Sequence, residues 1–339
     1  MKIKAHFKFQ IILIVIFCSI RSLSNETDNF TNRDKYIQKL QNSDHLINQE
    51  VEKRFLQVLK EHPNCNNNNL SSSSTELINA LHESLTSSTA RPLFRNGGIE
   101  SFANQKFQEP TKYRYDIDVS DSIFQDSLIF RHWGIASNIK ISGVYIGTDK
   151  LDHIFNNGFD LYLNRNSNTD YLLKQAINDE GKFFGVQTSG VLSYADIAAN
   201  WKGLQFWQEV WRADDPYFKC VNNQWQRTQR KFLISEYVTP AMDEAINCSE
   251  YIGSRAISAG KRAVKFQCPV DQAACYCLAR DMKEKTREYL LSPQCRKVQY
   301  KHQVNCARYN GLGSYEEQRA LQYQSPPQST PKHKSESSK

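Results

Sequence analysis

Two segments of the sequence carry ionisable side chains at spacings suited to chemistry. In the first, Asp149, His153 and Asp160 fall on one side of a predicted helix, opposite its apolar side. Asp149 and His153 stand at i and i+4, so a carboxylate can orient an imidazole or share a ligand with it. A solvated helix face, a structural Asp–His hydrogen bond and a metal-binding or catalytic cluster all fit this stripe. The sequence leaves the three open, and we expect no resident metal or other cofactor.

The second segment ends at Glu180, in the last turn of a helix predicted over residues 170–180. Helical projection places this side chain within the apolar stripe, which is formed by Leu173, Ala176 and Ile177. Poor solvation and the negative end of the helix dipole both raise the pKa of a carboxyl group there. A glutamic acid that stays protonated near neutral pH can act as a general acid. The competing interpretation is an ordinary helix end, with Glu180 turned to solvent beside Gly181.

These residues need a framework of helices to position them. Five helices are predicted in the body of the chain, over residues 150–163, 170–180, 194–211, 230–246 and 271–290. Between the second and third, residues 181–192 are rich in glycine and extended-type residues, which favours a β-hairpin. Upstream, a helical pattern over 34–62 precedes an Asn/Ser-rich tract at 66–74 that predicts a flexible linker. The predicted class is mainly α (α+β), with a small β-hairpin.

The order of helix, terminal glutamate, hairpin and second helix resembles the lysozyme and lytic-transglycosylase superfamily over about residues 165 to 212. The resemblance implies a lysozyme-like helical domain in which Glu180 is the general acid for a glycosidic bond. It also implies that Thr188 and Ser189 help to position substrate or water. Three short segments add a similarity to the deacetylation-specific lysozymes of predatory bacteria: 147–153, 190–196 and 243–248.

The helix predicted after the hairpin offers two further polar candidates, Asp196 and Asn200, on one face with Trp207. Asp196 could be the second carboxylate of a glycosidase, but Ser193 three residues earlier favours a capping-box acid. Both residues are therefore candidates for substrate positioning. The tryptophans of this helix could stack on sugars, although an aromatic-rich helix is more often part of a core.

The N-terminus predicts export. Three lysines precede an apolar run from Ile11 to Cys18, and small residues at Ser22 and Ser24 suggest cleavage near residue 24. The run is about half of the roughly 20 residues that span a bilayer, so a retained anchor is disfavoured. Because no later run is long enough, we expect no integral membrane association after cleavage.

Charge and cysteine content fit an exported chain. Cleavage lowers the net charge from +7 to about +3 without leaving a basic cluster, which argues against a nucleic-acid partner. The eight cysteines outside the signal peptide predict disulfides, although their pairing stays open. Seven lie after residue 219, so the C-terminal part should be the disulfide-stapled part. A zinc site at Cys268, Cys275 and Cys277 is disfavoured because no CxxC pair or nearby histidine accompanies them.

The predicted organisation has four parts: a signal peptide (1–24), a helical N-terminal region with an Asn/Ser-rich linker (25–109), a lysozyme-like catalytic domain with a Cys-rich C-terminal part (110–312), and a disordered tail (313–339). The leading hypothesis is a secreted or periplasmic hydrolase of peptidoglycan glycan strands. A non-enzymatic, disulfide-stapled envelope or binding protein is one alternative. A metal-dependent hydrolase that uses Asp149, His153 and Asp160 is the other.

Overall fold

The computed structural model describes residues 26–306 except 67–68, 87–97, 108, 182–184, 188, 213, 254–255, 300–303 and 305. The predicted signal peptide, the predicted disordered tail and Thr188 lie outside this part of the chain. Helices account for 55% and strands for 10% of the structure, which confirms the mainly α class with small β elements. No helix in the described part is both long and apolar enough to cross a membrane.

The N-terminal helices form one side of the core. They are α1 (Arg33–Ile37), α2 (Asp44–Glu61), α3 (Leu70–Leu85), α4 (Ile99–Gln105), α5 (Pro110–Tyr113) and α6 (Leu128–Trp133). In α2 the buried residues are Ile47, Val51, Phe55 and Val58, at the spacing of one helix face. The predicted flexible linker is wrong in its second half, because α3 begins at Leu70. Asn69 accepts from the Ser72 amide, and this N-cap directs the serines into a helix.

A three-stranded antiparallel sheet leads into the first candidate segment. Its strands β1 (Arg114–Tyr115), β2 (Asn138–Ile141) and β3 (Val144–Gly147) lie in the order β1-β2-β3. Asn138 pairs with Gly147, so the end of β3 is fixed against a buried residue of β2. Only Thr148 separates β3 from the next helix, and the sheet therefore determines where Asp149 begins that helix.

Two packed helical segments form the centre of the molecule. The first comprises α7 (Asp149–Asp152), a π-helical turn (His153–Asn157) and α8 (Gly158–Leu163), and the second is α10 (Tyr194–Glu209). Their backbones almost touch: a Cβ on Gly158 would come within 2.4 Å of Gly203 Cα, and one on Gly203 within 2.1 Å of Ile154 O. This glycine contact brings the polar groups of the two segments within hydrogen-bonding distance.

Three further elements correct or refine the predicted framework around Glu180. Helix α9 (Thr169–Asp179) matches the predicted helix over 170–180. The hairpin prediction is not met in the described residues, because β4 (Val191–Leu192) pairs with the distant β7 (Glu250–Tyr251). A local hairpin does form later, between β5 (Phe218–Val221) and β6 (Gln224–Arg227).

The helix predicted over 230–246 is wrong. That stretch contains two 3₁₀ turns, Ile234–Glu236 and Pro240–Met242, and Asp243 follows in an extended conformation. Pro240 cannot donate a helical hydrogen bond, and the side chains of Asp243 and Glu244 are held by ion pairs to distant parts of the chain. Tertiary contacts therefore override the local helical pattern.

The C-terminal part is joined by disulfides. Its helices are α11 (Ile257–Lys265), α12 (Gln272–Asp281), α13 (Glu284–Leu290) and α14 (Pro293–Arg296), so the predicted helix 271–290 is interrupted between Asp281 and Glu284. The eight predicted disulfide cysteines are all paired, as Cys65–Cys220, Cys248–Cys268, Cys275–Cys295 and Cys277–Cys306. Three of these bonds lie within the C-terminal part, and the fourth joins the segment after α2 to the β5–β6 hairpin.

Candidate functional site

A buried lysine lies at the centre of the polar interior. Lys150 is 0% exposed, and its Nζ lies 2.6 Å from Asp149 Oδ2, 2.5 Å from Asp196 Oδ1 and 2.7 Å from Glu244 Oε1. Burial favours the neutral amine, but the three carboxylates outweigh it and raise the pKa of Lys150 well above its usual range. We call this group the acid cluster; its members are Glu26, Asp149, Lys150, His153, Glu180, Asp196 and Glu244.

His153 joins the cluster from the π-helical turn. Its Nε2 lies 3.3 Å from Asp196 Oδ2, and its Nδ1 lies 2.8 Å from Asn200 Oδ1 and 3.1 Å from Asn157 Nδ2. The extra residue in a π turn redirects the side chains that follow, and such turns are frequent at functional sites. The imidazole is thus oriented by Asp196 and Asn200 on α10, rather than by Asp149 on its own helix.

The start of α10 shows why Asp196 is free to enter the cluster. Ser193 is the N-cap, and its Oγ accepts from the Asp196 amide at 3.2 Å, as the capping interpretation predicts. In a complete capping box the acid would bind the Ser193 amide in return. Here Glu180 Oε1 takes that amide at 3.4 Å, and the Asp196 carboxylate pairs with Lys150 and His153 instead.

Glu180 is buried, with 1% of its surface exposed, so the predicted position on the apolar face is confirmed and the solvent-exposed helix end is not observed. Gly185 packs so closely that a Cβ there would lie 2.3 Å from Glu180 Oε1. Burial, followed by the charges of Asp196 and Glu26, raises the pKa of Glu180 well above its usual range. The surroundings of this carboxyl group therefore favour its protonated form.

The neighbouring carboxyl groups divide into two types. Burial raises the pKa of Glu26 well above its usual range and that of Glu244 to about 8. Burial also favours a protonated Asp196, but His153 and Lys150 together hold the pKa of Asp196 below its usual range. The cluster thus combines a carboxyl group whose pKa is lowered with others whose pKa is raised, and carboxyl pairs with separated pKa values are how enzymes divide acid and base roles.

The cluster has more acceptor oxygens than donors. Four buried carboxyl oxygens have neither a hydrogen-bond partner nor an ion pair: Glu26 Oε2, Asp149 Oδ1, Glu180 Oε2 and Glu244 Oε2. A buried carboxylate oxygen without a donor is costly, whereas the same oxygen bearing a proton is not charged. These atoms are consistent with the raised pKa values of their residues, and they distinguish the cluster from a neutralised ion-pair network.

Two sets of ligand atoms lie close enough together to hold a metal ion, each within 4.8 Å. They are Asp149, His153 and Asp196, and Glu26, Asp196 and Glu244. The predicted third member, Asp160, belongs to neither set, because it lies on α8 beyond the π turn. Lys150 already supplies a cation that contacts a carboxylate in both sets. A metal ion bound to either set would therefore have to share its carboxyl ligands with Lys150.

The other candidates are distributed as follows. Ser189 and Asn200 reach the cluster, since Ser189 Oγ lies 2.7 Å from Glu26 Oε1 and Asn200 holds His153. Phe206 and Trp207 are fully buried, which confirms the core interpretation of these aromatic residues.

Sequence reasoning missed three members: Glu26, Lys150 and Glu244. Lysine is rarely buried unless it is paired, and no local pattern joins it to a glutamate 94 residues away. One local signal points to Lys150: it lies in a short helix between Asp149 and Asp152, next to the apolar Leu151.

Two surface cavities in the described part of the chain do not include the central residues of the acid cluster. A groove of about 1360 Å³ is lined on one side by Asp243, the residue before Glu244, but not by Glu180 or Asp196. A smaller pocket near Phe124 and Arg262 does not include them either.

A comparison of the chain with protein-family models, curated proteins and solved structures finds no match. The chemistry of the acid cluster is therefore inferred from the positions and charges of its own residues.

Proposed function

We propose that this protein is a secreted or periplasmic hydrolase of peptidoglycan glycan strands, with Glu180 as its general acid. One observation carries the proposal: the buried carboxyl group of Glu180, whose pKa is raised, shares a cluster with Asp196, whose pKa is held below its usual range by His153 and Lys150. Glycosidases use such a pair, in which one acid protonates the leaving oxygen and a carboxylate assists at the sugar carbon.

The residues of the cluster have distinct roles in this mechanism. Glu180 donates its proton to the glycosidic oxygen as the bond from that oxygen to the sugar carbon breaks. Asp196, held by Lys150 and His153, stabilises the positive charge that develops on the sugar. Water then adds to the sugar carbon as a hydroxyl group, and its other proton goes to the deprotonated Glu180, which restores the acid. Ser189 and Asn200 position the groups around this reaction.

Substrate must gain access to a carboxyl group that is 1% exposed. Gly185 N donates to Glu180 O, Ser193 N donates to Glu180 Oε1, and Ser189 Oγ binds the neighbouring Glu26. The segments around Gly185 and Ser193 would have to move apart for substrate to reach Glu180. The bound substrate would then exclude bulk water from the carboxyl group, as in enzymes that close over their substrates.

The test is clearance of purified peptidoglycan sacculi by wild type and by Glu180→Gln, using native and deacetylated sacculi. Glutamine is isosteric with the protonated acid, so the variant should fold while losing its proton. We expect turnover to fall by about 10²- to 10⁴-fold, the usual contribution of a positioned general acid. Asp179→Asn, which neutralises the adjacent acid, is the matched control and should retain activity. Undiminished clearance by a folded Glu180→Gln variant would refute the assignment.

The second candidate function is a non-enzymatic, disulfide-stapled envelope or binding protein. It is favoured by the depth of the acid cluster, whose members are at most 4% exposed. In that case wild type clears neither type of sacculus, although it remains folded.

The metal-dependent alternative has its own measurement. Elemental analysis of purified wild type should then find a divalent metal in stoichiometric amount, and His153→Ala should lose it.

A further inference from the structure

Helix α11 and its flanking residues leave an unusual share of apolar side chains in solvent. Eleven large apolar side chains are exposed in the described part of the chain, and five of these lie within residues 252–270. The five are Ile252, Ile257, Val264, Phe266 and Val270. Single apolar residues scattered over a surface are ordinary, whereas a concentration of them marks an interaction site.

The two faces of α11 differ in the size of their side chains. On the inner face Ala259 and Ala263 are buried, and Gly260 packs so closely that a Cβ there would lie 2.8 Å from Tyr251 Cβ. At about 100° per residue, four exposed residues occupy one arc of the helix, which we call the outer face of α11. In order around the helix they are Val264, Ile257, Lys261 and Lys265. Small residues thus hold the helix to the core, while two branched apolar side chains and two lysines remain outside.

The charge of the outer face of α11 is positive. The helix contains two lysines, one arginine and no acidic residue. Arg262 is paired with Asp126, but no ion pair among the described residues involves Lys261 or Lys265. Two cations beside exposed apolar side chains match a partner that offers anionic groups and an apolar phase together. A soluble polyanion lacks the apolar phase, and a neutral apolar surface lacks the charge.

Helix α2 also has an exposed apolar residue near a lysine, but its charges are balanced. Leu56 is 59% exposed, and Lys53 on the same helix pairs with Glu50. Because α2 contains acids as well as bases, its surface does not attract an anion in the way that a helix without acids does. The comparison shows that the combination on α11 is not simply what an exposed helix of this protein looks like.

A pocket extends the apolar surface on the adjoining side of α11. Its volume is about 420 Å³, and it lies between α11 and residues 123–129. Leu128, which lines it, is 79% exposed, whereas Ile123 and Phe124 form buried parts of its wall. The apolar surface therefore continues from α11 to the start of α6.

We propose that the outer face of α11 docks on the surface of an anionic lipid bilayer. Ile257 and Val264 enter the boundary between headgroups and acyl chains. Lys261 and Lys265 contact the lipid phosphates, as basic residues do near an anionic leaflet. The proposal does not rest on the function proposed for Glu180, since a hydrolase and a binding protein would both dock in this way.

The experiment is flotation of the purified, folded protein in its exported form with lipid vesicles. One set contains phosphatidylglycerol and phosphatidylcholine in equal parts, and the other contains phosphatidylcholine alone. We expect binding to the anionic vesicles and at least about tenfold weaker binding to the neutral ones, because the lysines then lose their partners. Binding should also weaken between about 0.1 M and about 1 M salt, since the Debye length falls from about 10 Å to about 3 Å.

Substitutions on the outer face of α11 test the two contributions separately. Lys261→Gln and Lys265→Gln should each weaken binding to anionic vesicles about fivefold, the contribution of one basic residue near such a surface. Val264→Ser should weaken it about five- to tenfold, because a valine side chain no longer leaves water. All three positions are exposed, so the variants should fold. Leu56→Ser and Lys53→Gln, the matched changes on α2, should bind as wild type does.

Three results would overturn the proposal. The first is no flotation with anionic vesicles, and the second is equal binding by wild type and Val264→Ser. The third is binding that the lysine variants lose and Val264→Ser retains, which would assign the face to a soluble polyanion. A dimer that Val264→Ser dissociates, without vesicle binding, would assign it to a second copy of the chain and would equally contradict a bilayer. Glu180→Gln should float as wild type does, so that failure of the proposed hydrolase leaves this test unaffected.

Discussion

The two ends of helix α10 contact ionic groups that differ in how fully their donors and acceptors are paired. At the N-terminal end, Asp196 enters the acid cluster, where Lys150 faces several carboxyl groups and four carboxyl oxygens have no donor. At the C-terminal end, Glu209 pairs with Arg230 and accepts from Tyr237 Oη at 2.8 Å, and Tyr237 Oη lies 2.9 Å from Tyr217 Oη. None of these side chains is among the unpartnered buried groups of the described residues.

The difference separates a group that stabilises the fold from one that is suited to chemistry. The Arg230 group satisfies its donors and acceptors, and Arg230 also bonds to the carbonyl oxygen of Asp215. The acid cluster keeps protons on carboxyl groups by burying them near like charges, which is unfavourable for the fold but provides a store of protons.

Removing the cation of the acid cluster should have the largest effect. Lys150→Met leaves Asp149, Asp196 and Glu244 without their shared partner, and breaking a buried ion pair costs about 3–5 kcal/mol. Urea denaturation should therefore show a strongly reduced unfolding free energy. Lys53→Met is the control: the Lys53 side chain is 71% exposed in its ion pair with Glu50, and its loss should change stability by less than about 1 kcal/mol. Equal losses in both variants would contradict a structural role for Lys150.

The pH dependence of stability should identify the protons held by the acid cluster. The pKa of Glu244 is raised from 4.5 to about 8, so the folded state binds a proton that the unfolded state has lost between these values. This stabilisation is fully present below pH 4.5 and is lost as pH rises through about 8. The decline is at most about 1.4 kcal/mol per pH unit for one proton.

Glu244→Gln should flatten this decline, because glutamine does not titrate. The measurement is the unfolding free energy of both proteins at several pH values across that window. A slope that is unchanged by the substitution would show that the titrating proton lies elsewhere.

The smallest effect is expected in the balanced group at the other end of α10. Tyr237→Phe removes the hydroxyl between Glu209 and Tyr217, while the ion pair of Glu209 with Arg230 remains. The loss should be about 1 kcal/mol, the usual net value of one hydrogen bond. Thermal or urea unfolding measures it. If Tyr237→Phe lowered the unfolding free energy as much as Lys150→Met, the ionic groups at the two ends of α10 would not differ in balance.

Local sequence patterns predicted the parts of the site that depend on one helix. The apolar stripe of α9 placed Glu180 on the buried face, and the Ser193 cap was identified from its spacing to Asp196. Both depend on geometry within a few residues, where the helical repeat fixes which side chains share a face.

The parts built from distant segments could not be predicted in this way. The helix predicted over residues 230–246 would contain Glu244, but the chain leaves a 3₁₀ turn at Asp243 in an extended conformation, and Glu244 pairs with Lys150 instead. Glu26 belongs to the cluster through Ser189, which is 163 residues further along the chain. Composition and periodicity carry no information about contacts of this length, and the partner of a buried charge is set by the whole packing arrangement.

The Cys65–Cys220 bond has a consequence for how the chain reaches its fold. It closes a loop with a sequence separation of 155, whereas two of the C-terminal bonds each close separations of 20. In the chain-entropy treatment, closing the long loop stabilises the folded state by about 5 kcal/mol, and closing each short loop stabilises it by about 3 kcal/mol. During synthesis Cys65 emerges long before Cys220, so its thiol has to await a late partner while the central helices assemble. The order of oxidation, rather than the number of bonds, should then govern the yield of correctly folded protein.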